Sequence, residues 1–156
     1  MIKKLLIIGA GGHGRVVADV AQRTNEYEEI SFLDNNFLKS DYTKNVNSQK
    51  VIGETSIENI IKFSSEFTHI FIAIGDNNLR MKWLKEVDKL GLKIAIIIDP
   101  SANISNHANL EKGTFINTNT VIQCNAIIKR GSILNTACTV DHNSIIGEGT
   151  HISPGA

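Results

Sequence analysis

Cysteine is too scarce in this chain to build a disulfide framework. Only Cys124 and Cys138 occur, in no CxxC pair and at no metal-ligand spacing, so no metal site is expected. Neither charge sign is in excess: 16 Lys+Arg balance 16 Asp+Glu. Nothing therefore argues for a nucleic-acid or anionic-membrane partner. Long apolar runs are missing as well. Leu5–Ala10 is far too short to span a bilayer and lacks a signal-peptide cleavage pattern. These absences leave a protein with no membrane insertion and a cytoplasmic, reducing location as the expectation.

What is present divides into two halves with different periods, taken as residues 1–99 and 100–156. In the first half, Leu5–Ile8, Ile30–Leu33, Ile70–Ile74 and Ile94–Ile98 read as buried strands, being short, apolar and β-branched. Helices are predicted near Gly14–Arg23, Ser56–Phe63 and Asn78–Leu90. Thr55 with Glu58 is a candidate capping box, Asp76 or Asn77 a candidate cap, and Gly91 a candidate C′ residue. Such alternation predicts a Rossmann-like parallel sheet with helices on its faces. The polar stretch Lys39–Lys50 reads as a loop.

After Pro100 a period of six takes over. Ile104, Leu110, Ile116, Ile122, Ile128, Leu134, Val140, Ile146 and Ile152 are all large aliphatics. Two places before each stands a small residue, from Ala102 to Thr150, and one place earlier a row made mostly of turn formers. Neither helix nor simple strand periodicity generates this register. It is the pattern of a hexapeptide-repeat parallel β-helix, with three hexads to a triangular turn and about three coils in all. The chain stops at Ser153-Pro154-Gly155-Ala156 in mid-pattern with no cap, which reads as an incomplete coil.

Gly9-Ala10-Gly11-Gly12-His13-Gly14 fits GxGxxG between a strand and a helix, as a phosphate-binding turn requires. Asp34 follows at the end of the second strand, where a ribose hydroxyl would be met. The turn alone leaves three readings open: an NAD(P)-linked oxidoreductase, another nucleotide ligand, or glycines that only permit close packing. About 100 residues are short of the two mononucleotide halves of a dinucleotide fold. His69 and His107 read as structural.

The runs IIGAGGHGRVVADVA, SFLDNN, FIAIGDNNLR and TVDHNSIIGEGTHISPGA together resemble one family from Lys4 to Ala156. It comprises the bacterial sialic-acid O-acetyltransferases and the UDP-4-amino-sugar N-acetyltransferases of bacillosamine-type pathways. The resemblance implies a Rossmann-like domain holding a nucleotide sugar, most simply a UDP-amino sugar, and a left-handed β-helix using acetyl-CoA in a homotrimer. It implies that Gly11, Gly12 and His13 lie against the nucleotide sugar, that Asp34 and Asn35 approach its base or ribose, and that Gly75 and Asn77 close the other side. It makes His142 the catalytic base and places His151 beside acetyl-CoA. Asn143 departs from the family, whose members commonly carry an acidic residue there; Asp141 is the candidate substitute. The early stop further implies a truncated member that keeps sugar-nucleotide binding and loses most acetyl-CoA affinity and turnover, with a non-catalytic binding fragment as the alternative.

Overall fold

The computed structural model describes residues 2–156. The first half is a five-stranded sheet built from β1 (Lys4–Ile8), β2 (Glu29–Leu33), β3 (Asn45–Val46), β4 (Gln49–Gly53) and β5 (His69–Ile72). The order is β3-β4-β2-β1-β5, parallel except for the β3–β4 pair. Leu5, Leu6, Ile7 and Ile8 are all buried, as a strand covered on both faces requires. Helices α1 (Gly12–Arg23), α2 (Ile57–Phe63) and α3 (Asn77–Lys89) cover the sheet.

Three local expectations need correction. The stretch Lys39–Lys50 is not loop throughout, because it holds the β3–β4 hairpin. Asn47 and Ser48 both turn at positive φ, the two-residue geometry that matches strand twist, but without the glycine that usually announces it. The cap of α2 is Ser56, whose Oγ accepts from Asn59 N at 3.1 Å, and not Thr55. Asp76 caps α3, accepting from Leu79 N at 2.8 Å, and Gly91 follows the helix at φ 69° as expected. The apolar run Ile94–Ile98 is not one strand. Ile94 bridges β5 at Ile70, whereas Ile97–Ile98 forms β6 and pairs with the coil.

The second half winds as the hexad register predicts. Two-residue strands β7 (Asn103–Ile104) to β15 (His151–Ile152) recur every six residues. They stack as three parallel sheets: β7-β10-β13 on the first side, β8-β11-β14 on the second, and β6-β9-β12-β15 on the third. The second residue of each strand points inward, and Ile116, Ile122, Ile128, Leu134 and Val140 form the buried column. The small row closes the corners: Ser132 Oγ donates to Lys129 O and Gly147 O, and Thr120 Oγ1 donates to Asn135 O. The turn row takes left-handed backbone at Gly113, Asn119, Asn125, Gly131, Ala137, Asn143, Gly149 and Gly155.

Only the third side is covered. Its outward residues Ile97, Phe115 and Ile133 are at most 2% exposed, packed in one cluster with Val17, Ala18 and Ala21 of α1. Each large side chain withdrawn from water here contributes roughly 2 kcal/mol to holding the halves together. Polar contacts pin both ends of this face. Arg23 Nη1 of α1 lies 2.5 Å from the buried Asp99, which also accepts from Ser101 and Thr118. Burial works against ionised Asp99, but these hydrogen bonds and the Arg23 charge outweigh it and hold its carboxyl below the ordinary value.

Candidate active site

The glycine turn does two separate jobs. A Cβ on Gly14 would lie 2.0 Å from Gly9 O, and one on Gly9 would lie 2.9 Å from Ala73 O, with Gly9 at φ 100°. Those two glycines permit close approach of helix, strand and turn. Gly11 and Gly12 are different: a Cβ on either meets nothing within 4 Å. Packing does not require glycine there. The free N–H groups and positive end of α1 face that space, which suits an anion.

Asp34 is buried and already engaged. Its Oδ2 accepts from Ala10 N at 2.8 Å, and its Oδ1 accepts from Asn36 N and Nδ2 at 2.9 and 3.0 Å. It therefore braces the glycine turn from below rather than standing free. Asp34 and Asn35 line a cleft of about 170 Å³ with Gly9, Thr55, Ile74, Leu79 and Trp83. Past Asn35, Leu79 and Trp83, a second cleft of about 330 Å³ continues against Ile57. Gly75 lies on the exposed loop between β5 and α3, and Asn77 is the exposed first residue of α3.

His13 stands where the halves meet, its ring edge-on to Phe115 of the coil with centroids 5.3 Å apart. Its Nε2 is buried with no hydrogen-bond partner. Burial, the nearby Arg80 charge and His151 push its pKa down to about 4, so the ring is neutral at physiological pH. His151 is lowered too, by burial and by Arg80, and its Nε2 lies 3.2 Å from Asn135 Nδ2. The sequence reading missed Arg80, which is 1% exposed and donates five hydrogen bonds. A signal was available: Arg80, Leu84 and Val87 share the buried stripe of α3, so a cation occupies a core position.

His142 is elsewhere. It sits at the corner joining the first and second sides of the coil, the vertex opposite the third side that packs on the first half of the chain. Asp141, His142 and Asn143 are all exposed. The Asn143 carboxamide lies 2.8 Å from His142 Nδ1, and Asp141 Oδ1 lies 4.0 Å from Nε2 while accepting from His142 N at 2.7 Å. Asn143 is the left-handed corner residue at φ 58°, a conformation asparagine tolerates far better than most side chains. One chain thus brings together Gly11, Gly12, His13, Asp34, Asn35, Gly75, Asn77 and His151, and leaves the 141–143 corner apart. Among the described residues, no group of three His, Cys, Asp or Glu is placed to hold a metal.

A nucleotide-type turn on one side of a hexapeptide coil, with an outward histidine at another corner, defines a class: a hexapeptide acyltransferase carrying an appended nucleotide-binding domain. The model of the PglD N-terminal domain family matches residues 4–87, and the chain belongs to that family. It is similar to the acetyltransferase domain of PglB from Neisseria gonorrhoeae FA1090, solved in complex with acetyl coenzyme A. That likeness has 38% identity and a TM-score of 0.88, over 99% of this chain and 72% of that one. It is also similar to a mutant of perosamine N-acetyltransferase from Caulobacter crescentus in complex with CoA and GDP-perosamine. There the identity is 28% and the TM-score 0.86, over 99% of this chain and 70% of that one. WeeI from Acinetobacter baumannii AYE shares the fold at 21% identity and a TM-score of 0.78. The coil is the left-handed parallel β-helix of these acetyltransferases.

Proposed function

We propose that this protein transfers the acetyl group of acetyl-CoA to the amine of a nucleotide-linked amino sugar, with a UDP-sugar as first choice. The observation that carries the reading is the likeness, over 99% of the chain, to an acetyltransferase domain in complex with acetyl-CoA. Residues 1–99 hold the nucleotide sugar and residues 100–156 serve the acetyl donor. Gly11 and Gly12 let the diphosphate approach backbone N–H groups, supported by the open space above them. His13 offers its unpartnered Nε2 to the sugar, Asn35 and the braced Asp34 border the base and ribose, and Gly75 with Asn77 closes the far side.

Acetyl-CoA supplies an activated thioester, so no covalent intermediate on the protein is needed. The chain must align amine and thioester and take the proton that the amine loses, and positioning accounts for much of the rate. His142 is the base. Asn143 Nδ2 stands 2.8 Å from Nδ1 in the free chain; rotating that carboxamide by half a turn would present its oxygen to Nδ1–H and leave Nε2 free to accept the proton. Asp141 Oδ1 lies 4.0 Å away on the Nε2 side. Asn143 orients the ring without adding the charge that an acidic residue would. His151 flanks the donor.

The opposite-vertex position of His142 supports a site completed by a second copy, in which its imidazole serves a sugar held by a neighbouring chain. A homotrimer fits this need. Ile127 is half-buried and Ile145 64% exposed on the second side of the coil, next to the His142 corner, and a neighbour there would cover both. Among the described residues no helix is long and apolar enough to cross a membrane. The unpaired Cys124 and Cys138 fit a reducing, cytoplasmic setting.

Thiol release from acetyl-CoA, followed against a panel of UDP-, GDP- and CMP-linked amino sugars, tests the reading. Release dependent on an amino-sugar nucleotide is the expected result. Release only in the background, with calorimetric binding of neither substrate, would overturn it.

A further inference from the structure

Arg80 presents an energetic puzzle. Its guanidinium is withdrawn from solvent, yet among the described residues no carboxylate forms an ion pair with it. Burying a cation without a counter-charge costs several kcal/mol, and a long apolar side chain could fill the same space without that cost. Something other than packing is needed to account for arginine here.

The hydrogen bonds suggest what. Nε donates to Gly131 O and Nη2 to Gly149 O, both at 2.8 Å and both at the same corner of two successive coils. Nη1 donates to Ile74 O and Gly75 O at 2.9 and 3.1 Å, and Nη2 also reaches Asn77 Oδ1 at 2.8 Å. All five acceptors are backbone or amide oxygens. Two belong to the coil, two to the loop between β5 and α3, and one to the first residue of α3. The planar fork ties that loop to the coil at a fixed height, which no single-point cation could reproduce. Gly131 and Gly149 permit this approach, since a Cβ on either would fall within 2.6 Å of Met81.

We propose that Arg80 is a positioning residue that registers Ile74, Gly75 and the start of α3 on the coil and lends its buried positive charge to the diphosphate of the nucleotide sugar. The proposal rests on the sugar-nucleotide reading above for the identity of the anion. Because Oδ1 of Asn77 is held by Nη2, the Asn77 N–H2 is turned outward as a donor. The fork holds the carbonyl of Ile74, which packs beside Gly9 of the glycine turn, and that of Gly149, two residues before His151, so the charge stands next to the turn and lowers the pKa of both His13 and His151. In the free chain no carboxylate is in ion-pair contact with that charge, Asp76 at the α3 cap acting on it only from a distance, and an incoming diphosphate supplies a closer partner.

Arg80→Lys keeps the charge and loses the fork, whereas Arg80→Met loses both. In Arg80→Lys the KM for the nucleotide sugar should rise by about tenfold, and in Arg80→Met by more, with the KM for acetyl-CoA within about twofold of wild type. The His13 and His151 ring protons, titrated by NMR, should move towards their ordinary values in Arg80→Met and stay depressed in Arg80→Lys. Equal rises in both KM values, or imidazole titrations unchanged in Arg80→Met, would overturn the proposal. Should Arg80→Met fail to fold, Arg80→Lys decides through its KM split. The wild-type chain gives a separate readout, because slowly exchanging guanidinium N–H signals are required and rapid exchange would contradict the five-bond clamp. A wild-type chain that neither binds nor turns over a nucleotide sugar removes the underlying reading instead. A turning-over wild type matched by Arg80→Lys removes only the role of Arg80.

Discussion

Replacing Gly12 and Gly14 separately by alanine distinguishes ligand approach from helix packing within one turn. At Gly14 the added methyl would lie 2.0 Å from the Gly9 carbonyl oxygen, well inside contact distance, and the obstacle is backbone. The start of α1 must shift by about an ångström, and overpacking of this kind costs about 1–3 kcal/mol or more. For a domain of this size each kcal/mol lowers Tm by about 2–4 °C. At Gly12 the methyl meets nothing within 4 Å, and the backbone is not in the left-handed region. Alanine in the first turn of a helix should leave stability unchanged or raise it by up to about 1 kcal/mol. The same methyl would stand in the space proposed for the diphosphate, so the Kd for the nucleotide sugar should rise by about tenfold or more. Calorimetric titration with the preferred sugar nucleotide, beside thermal melts, measures both quantities. A Gly12→Ala chain with wild-type affinity would refute the phosphate-cradle reasoning, and a fully stable Gly14→Ala would refute the packing reasoning.

Three further outcomes follow from the same geometry. His13 has a folded pKa near 4 against about 6.5 when unfolded, so the unfolded chain binds the extra proton between those values. Stability should therefore climb with pH through that window, by up to about 3 kcal/mol, and His13→Gln should flatten the climb in urea titrations; an unchanged slope would clear His13 of responsibility. His142→Ala should lower kcat by about 10²- to 10⁴-fold while sugar-nucleotide affinity stays at the wild-type value, and retained turnover would remove it as the base. Ile145→Asp, on the exposed second side, should shift light-scattering mass towards the single chain, whereas an unaltered mass would mean that the neighbour does not dock there.

The hexad coil was legible because each inward position must be filled at every sixth residue, and Ile104 through Ile152 never break the rule. The corner row was equally readable, since left-handed backbone favours Gly and Asn. Where the sequence misled, a longer-range force decided. Ile94–Ile98 looked like one strand because burial makes both ends apolar; only pairing shows that Ile70 claims one end and Phe115 the other. The β3–β4 hairpin hid behind a glycine-free Asn47-Ser48 turn. Asp34 was placed correctly at a strand end, but its carboxylate is taken up by Ala10 and Asn36, contacts that no spacing rule encodes. The position of His142 was the largest gap. Period six fixes the phase of each corner, but not which side of the triangle meets the first half. The outward row narrows the choice without making it: Ile97, Phe115 and Ile133 are apolar at intervals of 18 and Asn103 and Thr139 are polar, but Ile127 and Ile145 on the second side are apolar as well.

The proposed division of labour between copies can be measured by mixing two inactive chains. One carries His142→Ala, the other Gly12→Asp to exclude the diphosphate, and they are co-expressed and purified as mixed assemblies. Neither variant alone should release thiol from acetyl-CoA with the preferred sugar nucleotide. Mixed assemblies should recover a substantial fraction of wild-type turnover, because an intact His142 can then face an intact glycine turn on a neighbour. Absence of recovered turnover in folded mixed assemblies, at any mixing ratio, would contradict a site shared between chains.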